Sequence, residues 1–313
     1  MKKLTIFTAP KPFVNPHISI IQKNAIQSWI ALGDQVEVIL IGEEEGLAEI
    51  ANELDVAYFP NVKRNAYGTP LVSDIFCLAR QHASADILCY INADVILTPD
   101  ILTAMMITAA RWKAFLIVGQ RWDLDVKQEL KYEENWVNAI RADVQKYGRL
   151  HPAGGSDYFM FPKECYKHMP DFAIGRAGWD NWMFYEARRK NWPLIDASQS
   201  VMIVHQDHDY SHLPKGQPHY RLPETGENVR MAGGPRAIFN LFDADYRLTN
   251  IGLEEMPMNW KKFWREVEIF PLIILRAKWL SQLFFVILHP LKGYREFRHW
   301  LAEALKRNSE EVK

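Results

Sequence analysis

Residues 87–97 read ILCYINADVIL, and this stretch decides the fold class. Its apolar run predicts a buried strand, and the run is interrupted by Asn92 and Asp94, two oxygen-bearing side chains separated by one alanine. Either side chain would be costly to bury without a partner. We therefore expect both at the mouth of the strand, facing a ligand that takes oxygen donors.

The chain around this strand alternates between strand-like and helix-like periods. Strict alternation predicts a parallel sheet that is covered by helices on both faces. Ligands of such sheets bind outside the carboxyl ends of the strands, which is where Asn92 and Asp94 fall. Further strands are predicted at 3–9, 35–42, 56–60 and 114–122, and helices at 18–32, 46–54, 69–83 and 98–112.

The second half of the chain has a less regular pattern. Residues 131–148 and 180–191 have helical periods, and 154–164 predict a short strand between turns. Residues 193–212 predict two short strands that lead into a histidine-rich loop. Residues 213–236 are rich in Gly, Pro and charge and have no period, so we expect a long functional loop there.

The composition is that of a globular protein with a substantial core. Of 313 residues, 48% are hydrophobic and 24% are charged. The 37 Lys and Arg nearly balance the 38 Asp and Glu, which argues against a nucleic-acid partner. Cys77, Cys89 and Cys165 are predicted to be buried thiols of a reducing compartment. The apolar run before Pro10 is too short for a signal peptide, so we expect a cytoplasmic protein.

From Trp260 onward the sequence is helical, strongly apolar, and mixes Trp with Lys and Arg. Residues 269–288 have the length of a membrane span, but Arg276 and Lys278 lie near their centre, so an interfacial or docking helix is predicted instead. Peripheral membrane contact through 260–300, at the inner face of the membrane, and a helical cap packed on the domain both remain open. We predict two domains, 1–250 and 251–313.

A known family pattern appears in the segment KRNAYGTPLVSDIFCLARQHASADILCYINADVIL (63–97). It resembles the core signature of the nucleotide-sugar-dependent glycosyltransferases of the GT-A fold, family 2-like, in which an Asn-x-x-Gly loop and a helix precede a strand ending in Asp-x-Asp. The resemblance covers roughly residues 3–210. It implies a GT-A-like, doubly wound, mixed and mainly parallel sheet with a C-terminal helical extension. It also implies sugar transfer from a nucleoside diphosphate to a glycan, lipid or other acceptor.

In that family the acidic pair lies against a divalent cation, Mn²⁺ or Mg²⁺, and against the donor's ribose and diphosphate. The resemblance implies these roles for Asn92 and Asp94. Asn92 replaces the usual first Asp, so the need for a metal stays open, and Asn92 binding ribose alone is an alternative. Asp94 capping the turn at Thr98 is the structural alternative. The resemblance further implies nucleotide contacts for Thr8, Pro10, Glu43, Arg64, Asn65 and Gly68, while a plain turn explains 65–68 nearly as well.

The stretch GRAGWDNWMFYEARR (175–189) resembles the acidic motif with which inverting members deprotonate the acceptor hydroxyl. The resemblance implies that Asp180 is the catalytic base; a helix N-cap is the alternative. Trp179 either stacks on a sugar or fills the core. Together with the upstream GGSDYFMF (154–161), the motif implies an acceptor site formed by Gly155, Ser156, Asp157 and Trp179.

The stretch VHQDHDYSH (204–212) places three histidines and two aspartates after an apolar strand. Alone it is compatible with a zinc site or with a solvated polar loop. The resemblance implies that His205 joins Asp94 as a metal ligand. The loop that follows, with Lys215, His219 and Arg221, would suit a lid over the donor diphosphate.

Three other functions compete with glycosyl transfer. A sugar nucleotidyltransferase shares the sheet but opens with a Gly-rich phosphate loop, which FTAPKPFVNPH (7–17) lacks. A non-catalytic GT-A-like scaffold or binding protein stays possible because of Asn92. A zinc hydrolase built on the histidine cluster is the third alternative, and stoichiometric zinc would identify it.

Overall fold

The structure is a computed structural model and describes residues 2–154, 156–208 and 222–310. The strands within these residues are β1 (Leu4–Thr8), β2 (Val36–Ile41), β3 (Ala57–Phe59), β4 (Ile87–Ile91), β5 (Val95–Leu97), β6 (Leu116–Val118), β7 (Trp122–Leu124), β8 (Arg149–Leu150), β9 (Tyr158–Pro162), β10 (Leu194–Asp196), β11 (Ile203–Gln206), β12 (Tyr246–Thr249) and β13 (Gly252–Glu255). The helices are α1 (Pro16–Ile30), α2 (Leu47–Glu53), α3 (Val72–His82), α4 (Asp100–Ala109), α5 (Trp136–Tyr147), α6 (Trp179–Arg189), α7 (Pro223–Met231), α8 (Trp260–Ile273), α9 (Lys278–Leu288) and α10 (Pro290–Glu310).

A mixed, mainly parallel sheet forms the centre of the first of two compact units. Its strand order in the described residues is β13-β12-β10-β6-β9-β4-β1-β2-β3. β4, β1, β2 and β3 are parallel, whereas β9 runs antiparallel to β4 and β6, and β13 antiparallel to β12. The predicted fold class, a mixed and mainly parallel α/β sheet, is confirmed.

Alternating side chains of the strands bury both faces of this sheet. On one face, Leu4, Ile6 and Ile91 join a buried cluster with residues of α1, α2 and α4. On the other face, Phe76 of α3 packs edge-on against Phe7, with ring centroids 5.0 Å apart. A strand that is apolar on both sides has to be covered on both sides, which is the double winding that the alternation predicts.

A second, smaller sheet has the order β5-β11-β7-β8 in the described residues, and its strand β5 follows the carboxyl end of β4 after a short turn. β11 is antiparallel to β5 and parallel to β7, so that His205 pairs with Val95 on one side and with Asp123 on the other. This register brings the histidine strand next to Asp94. The quoted stretch is therefore not one strand but two: β4 ends at Ile91, and a turn over residues 92–94 precedes β5.

Several other predictions differ from the structure. Residues 223–231, predicted as loop because of their Gly and Pro, form α7, since Pro223 occupies the first turn, where its missing N–H costs nothing. Cys77 is exposed on α3, whereas Cys89 and Cys165 are buried as predicted. The loop side chains Lys215, His219 and Arg221 lie outside the described residues, as does Gly155.

The chain divides into the units Met1–Met256 and Pro257–Lys313. Residues 251–256, which we assigned to the C-terminal domain, belong to the first unit because β13 pairs with β12. The second unit consists of α8, α9 and α10. Residues 269–288 do not form one helix. The helical conformation is interrupted between α8 and α9, where Arg276 has a φ of 54°. None of the described helices is long and apolar enough to span a membrane.

Candidate active site

A cleft of about 460 Å³ opens at the carboxyl edge of the main sheet. The chain after β1, the turn after β4 and the loop after β6 contribute to its wall because parallel strands end at the same edge. Residues just before β9 join them, since an antiparallel strand begins where its neighbours end. Of the residues predicted from the sequence, the cleft is lined by Pro10, Asn92, Asp94, Ser156, Asp157, Trp179, Asp180 and His205.

Asp94 is the centre of a cluster of charged and ligating side chains. Its Oδ2 lies 3.2 Å from Lys11 Nζ and 3.1 Å from His208 Nε2, and its Oδ1 lies 3.9 Å from His205 Nε2. Lys11 Nζ also lies 2.9 Å from His208 Nε2. The carboxylate is therefore bound by side chains of the cleft and does not cap the turn at Thr98, whose hydroxyl donates to Asp100 and Met202.

The ionisation of this cluster follows from burial and charge. Burial alone would raise the pKa of Asp94, but Lys11, the His208 hydrogen bond and the nearby histidines outweigh it and hold that pKa well below its ordinary value. Burial lowers the pKa of His205 even though Asp94 opposes the shift. Asp94 is thus a carboxylate and His205 a neutral imidazole near neutral pH, which are the states in which both bind metal ions.

The residues present fit a divalent cation. Asp94, His205 and His208 each offer one ligand atom, and the three atoms lie within 4.8 Å of one another. Oδ1 of Asp94 is buried without a hydrogen-bond partner, so one ligand atom is unsatisfied in the described residues. One carboxylate with two imidazoles is a donor set that Mn²⁺ and Zn²⁺ accept. A second group, Asp123, His205 and Asp207, shares His205 with the first.

Asp180 lies in the first turn of α6 and lines the same cleft. It is not the N-cap, a position held by Gly178, and its Oδ1 accepts the backbone N–H of Gly178 at 3.1 Å. Burial raises its pKa, an effect larger than the opposing hydrogen bonds from backbone N–H groups and reinforced by Asp157. A half-buried carboxylate with a raised pKa in a cleft is a suitable general base.

The other wall of the cleft is a chain of hydrogen-bonded polar side chains. Asn92 Nδ2 donates to Asp157 Oδ1 at 2.7 Å, and Arg121 Nη1 donates to Asp157 Oδ2 at 2.7 Å. Arg121 Nε donates to Asp123 Oδ1 at 2.9 Å. Asp123 Oδ1 lies 3.5 Å from His205 Nδ1, so this network reaches the back of the candidate metal ligands.

Trp179 lines the cleft, but its ring is mostly buried in the core. It packs edge-on against Tyr90, with centroids 5.0 Å apart, and against Phe76 at 6.3 Å. Ser156 hydroxyl donates to backbone carbonyls of Gly119 and Tyr158. The structure therefore places Ser156, Asp157 and Trp179 together in the cleft, with most of the indole used for packing.

The remaining predicted donor residues lie outside the cleft lining. Thr8 is buried at the end of β1, and Glu43 is exposed. Arg64 forms an ion pair with Glu44 at 2.9 Å, and Glu44 itself lines the cleft. Asn65 closes its own loop, because its Oδ1 accepts the N–H groups of Tyr67 and Thr69 and its Nδ2 donates to Glu224.

Gly68 has a φ of +80°, and a Cβ added there would meet open space. Its conformation, rather than crowding by neighbouring atoms, therefore accounts for glycine at this position within the described structure.

Sequence reasoning missed Lys11, Arg121 and Asp123, and His208 was noted only as part of the histidine cluster. Lys11 lies 83 residues from its partner Asp94, and no local pattern links the two. Arg121 follows the end of β6 in the chain as Asn92 follows β4, and this position is the signal that would have identified it. Asp123 lies within β7, where its pairing with His205 of β11 is a tertiary contact that no local pattern shows.

Comparisons with known proteins give structural similarity only. No protein-family model matches the chain, and no curated protein matches its sequence. A mannosyltransferase from Pyrobaculum calidifontis, solved with GDP-Man and Mn²⁺, is 14% identical over 67% of this chain, with a TM-score of 0.41. Glucosyl-3-phosphoglycerate synthase from Mycobacterium tuberculosis, solved with Mn²⁺ and UDP, is 13% identical over 75% of this chain, with a TM-score of 0.46.

TarS from S. aureus, solved with UDP-GlcNAc, is 10% identical over 74% of this chain, with a TM-score of 0.47. The chain spans 58% of the mannosyltransferase, 81% of the synthase and 65% of TarS. The first of these three proteins is a sugar-transferring enzyme by name.

Proposed function

We propose that the chain is a glycosyltransferase that moves a sugar from a nucleoside-diphosphate donor to an acceptor hydroxyl, with inversion. The observation that carries the proposal is the cluster of Asp94, His205, His208 and Lys11 in the same cleft as Asp180. A cation site beside an ammonium group suits a diphosphate, and the half-buried carboxylate of Asp180 with its raised pKa suits removal of a proton. The position at the carboxyl edge of the sheet supports ligand binding there.

The proposed reaction is a single displacement. The acceptor oxygen forms a bond to the anomeric carbon while the bond from that carbon to the diphosphate oxygen breaks, and its electron pair leaves with the nucleoside diphosphate. Asp180 receives the acceptor's proton, and its raised pKa makes it a better proton acceptor than an exposed aspartate. Attack from the face opposite the leaving group inverts the anomeric centre.

Asp94, His205 and His208 are the residues that would hold a divalent cation. When bound, such an ion neutralises the charge that develops on the departing diphosphate. Lys11 lies within this cluster and supplies one positive charge from the chain itself. Asn92 has both amide atoms hydrogen-bonded to protein groups, so it is not part of the proposed ligand set.

The donor and acceptor contacts divide along the cleft in our proposal. Pro10 contacts the nucleoside, and Arg64, Asn65 and Gly68, with Thr8 and Glu43, shape the surrounding loops. Ser156, Asp157 and Trp179 bind the acceptor, which is a glycan, a lipid or another hydroxyl compound. Pro10 and the three acceptor residues line the same cleft, which supports their contact with substrates of one reaction.

The first experiment is calorimetric titration with UDP-, GDP- and dTDP-sugars, with and without Mn²⁺. We expect one nucleotide to bind in a metal-dependent manner and Asp94→Ala to abolish that binding. Asp34→Ala, the same change at an exposed site outside the cleft lining, is the matched control. Absence of binding by the whole panel would refute the donor proposal as stated.

Further measurements separate the alternatives. Release of the free sugar from a bound donor would exclude the non-catalytic scaffold. Formation of a nucleotide sugar from a nucleoside triphosphate and a sugar phosphate would indicate a nucleotidyltransferase. Stoichiometric zinc in the purified protein, with no nucleotide binding, would favour the zinc hydrolase, which the Asp94–His205–His208 set also suits.

We also propose that the second unit contacts a membrane surface that carries anionic lipids, on the cytoplasmic side, which the three unpaired cysteines favour. Pro257–Lys313 contains eleven Lys and Arg and six Asp and Glu, a net charge of +5 in a chain whose net charge is −1. Large apolar side chains are exposed on each of its helices, among them Trp260 (74%), Trp279 (72%) and Leu291 (76%). Exposed aromatic side chains combined with basic ones are typical of interfacial helices.

Co-sedimentation with vesicles tests this contact on the full chain. Binding to vesicles that contain anionic phosphatidylglycerol, weaker binding to neutral phosphatidylcholine, and loss in Trp260→Ser/Trp279→Ser are expected. The side chain of Trp300, which the sequence also suggested, lies outside the described side chains. A dimer in light scattering that does not sediment with either vesicle would show that a second copy covers this surface instead.

A further inference from the structure

Asn92 stands where the family pattern has a carboxylate, and its hydrogen bonds explain the difference. Its Nδ2 donates to Asp157 Oδ1 at 2.7 Å, and its Oδ1 accepts the Tyr90 hydroxyl at 3.2 Å. The backbone N–H of Asn92 donates to the carbonyl of Asp157 at 2.9 Å. Asn92 and Asp157 are thus joined by a side-chain and a backbone hydrogen bond.

Asp157 is committed on both carboxylate oxygens. Its second oxygen, Oδ2, forms an ion pair with Arg121 Nη1 at 2.7 Å, and the residue is 8% exposed. Arg121 in turn shares its charge with Asp123, at 2.9 Å. The carboxylates of Asp157 and Asp123 therefore share the positive charge of the Arg121 guanidinium group, even without a carboxylate at position 92.

An aspartate at position 92 would place a second carboxylate oxygen about 2.7 Å from Asp157 Oδ1, with no proton between them. Like charges at this distance repel strongly in a partly buried site, and no further cation is paired with Asp157 in the described residues. An amide at position 92 replaces this repulsion by a hydrogen bond to a charged acceptor, one of the stronger kinds.

We infer that Asn92 is a positioning residue, which acts by holding Asp157 and Arg121 in the cleft wall, and that exchanging the side chains of Asn92 and Asp157 restores the pairing that Asn92→Asp alone breaks. The inference rests on the proposed function in so far as Asp157 and Arg121 line the proposed substrate cleft. According to this inference, position 92 is Asn and not Asp because its hydrogen-bond partner, Asp157, is already a carboxylate. Weaker metal binding is not the reason for the difference.

The exchange is feasible by geometry. In Asn92→Asp/Asp157→Asn, the new amide at 157 donates through Nδ2 to the carboxylate at 92, and its Oδ1 accepts Arg121 Nη1. The Tyr90 hydroxyl still donates to the second oxygen at position 92. The number of hydrogen bonds and the total charge are both preserved, and only the position of the negative charge changes.

The test compares three variants with the wild type: Asn92→Asp, Asp157→Asn and the double exchange. We expect Asn92→Asp to lower the melting temperature by about 4 °C or more and the double variant to recover it. The efficiency kcat/KM for donor turnover should fall about tenfold or more in Asn92→Asp, and the double variant should recover part of this loss but not all of it, because Asp157 also belongs to the proposed acceptor site. Asn52→Asp, the same change on the exposed face of α2, is the matched control and should alter neither.

Mn²⁺ titration of the protein without nucleotide separates positioning from ligation. If Asn92 is a positioning residue, the Asn92→Asp protein should bind Mn²⁺ no more than about threefold more tightly than the wild type. Tighter binding by about tenfold or more with an unchanged melting temperature would overturn the inference, and so would a double variant that melts no higher than Asn92→Asp. If the wild type binds no nucleotide sugar, the proposed function fails, whereas the melting temperatures still decide the pairing of Asn92 with Asp157.

Discussion

Lys11 contacts two of the three side chains that would hold a cation, Asp94 and His208, and its removal gives the most informative perturbation of the site. Its ammonium nitrogen lies 3.2 Å from Asp94 Oδ2 and 2.9 Å from His208 Nε2. The Asp94 side chain is only 9% exposed. We predict that Lys11→Met, which keeps the aliphatic stem and removes the charge, destabilises the metal-free protein and tightens its binding of Mn²⁺.

The magnitude follows from the ion pair. Unit charges 3.2 Å apart interact by about 5 kcal/mol at an effective dielectric constant of about 20. Partial exposure of Lys11, desolvation and lost side-chain entropy reduce the net value, which we take as about 2 kcal/mol. A metal ion that binds Asp94 in the wild type has to displace the ammonium group and lose this energy. Without Lys11 the affinity for Mn²⁺ should rise about 30-fold, since about 1.4 kcal/mol corresponds to a factor of ten.

Two measurements check both halves of the prediction. Urea denaturation without metal should show a free energy of unfolding about 2 kcal/mol lower for Lys11→Met, and saturating Mn²⁺ should remove most of the difference. Calorimetry gives the affinity for Mn²⁺. Lys23→Met is the matched control because Lys23 forms an ion pair with Glu53, at 2.9 Å, outside the cleft lining. It should change stability by less than about 1 kcal/mol and leave Mn²⁺ binding unchanged.

The reasoning would be refuted by a Lys11→Met protein that folds normally but binds Mn²⁺ equally or more weakly. That result would mean that Lys11 does not compete with the ion for Asp94. A rise in affinity without any loss of stability would instead show that the pair contributes nothing to the metal-free fold, and the 2 kcal/mol value would be wrong.

Three further predictions concern single residues. Asp180→Asn should lower kcat about 10²- to 10⁴-fold. Burial raises the folded pKa of Asp180 above its unfolded value of 3.8, so the ionised carboxyl group costs stability at pH 7. Urea denaturation should therefore show no loss in the free energy of unfolding of the variant. In the folded state the pKa of His205 lies below its ordinary value of 6.5, so the unfolded state takes up a proton first as the pH falls, and the free energy of unfolding decreases below pH 6.5. His205→Gln should weaken this pH dependence of stability, measured by denaturation at pH 7.5, 6.5 and 5.5. Gly68→Ala should lower the free energy of unfolding by about 1 kcal/mol through its φ of +80°, and unchanged donor binding in calorimetry would show that no ligand atom approaches its Cα closely.

The sequence by itself determined the element types of the first half of the chain and the location of the cleft. Apolar periods of two and of 3.6 residues depend only on near neighbours, so the strands up to Ile91 and the helices between them could be predicted. The end of β4 could be identified as a ligand site because polar side chains there must face solvent or a partner. The Gly- and Pro-rich composition of 213–236 concealed α7, since Pro223 stabilises a helix start as well as a loop.

Only the tertiary structure decided which side chains meet. Asp94 lies 83 residues from Lys11 and 114 from His208, and Asn92 lies 65 residues from Asp157. Crossover connections and the pairing of β11 with β5 bring these side chains together, although they are far apart in the sequence. No local sequence pattern encodes such pairing. The sequence therefore identified Asn92 as a departure from an acidic motif, while its meaning depended on a carboxylate that only the folded sheet brings within hydrogen-bonding distance.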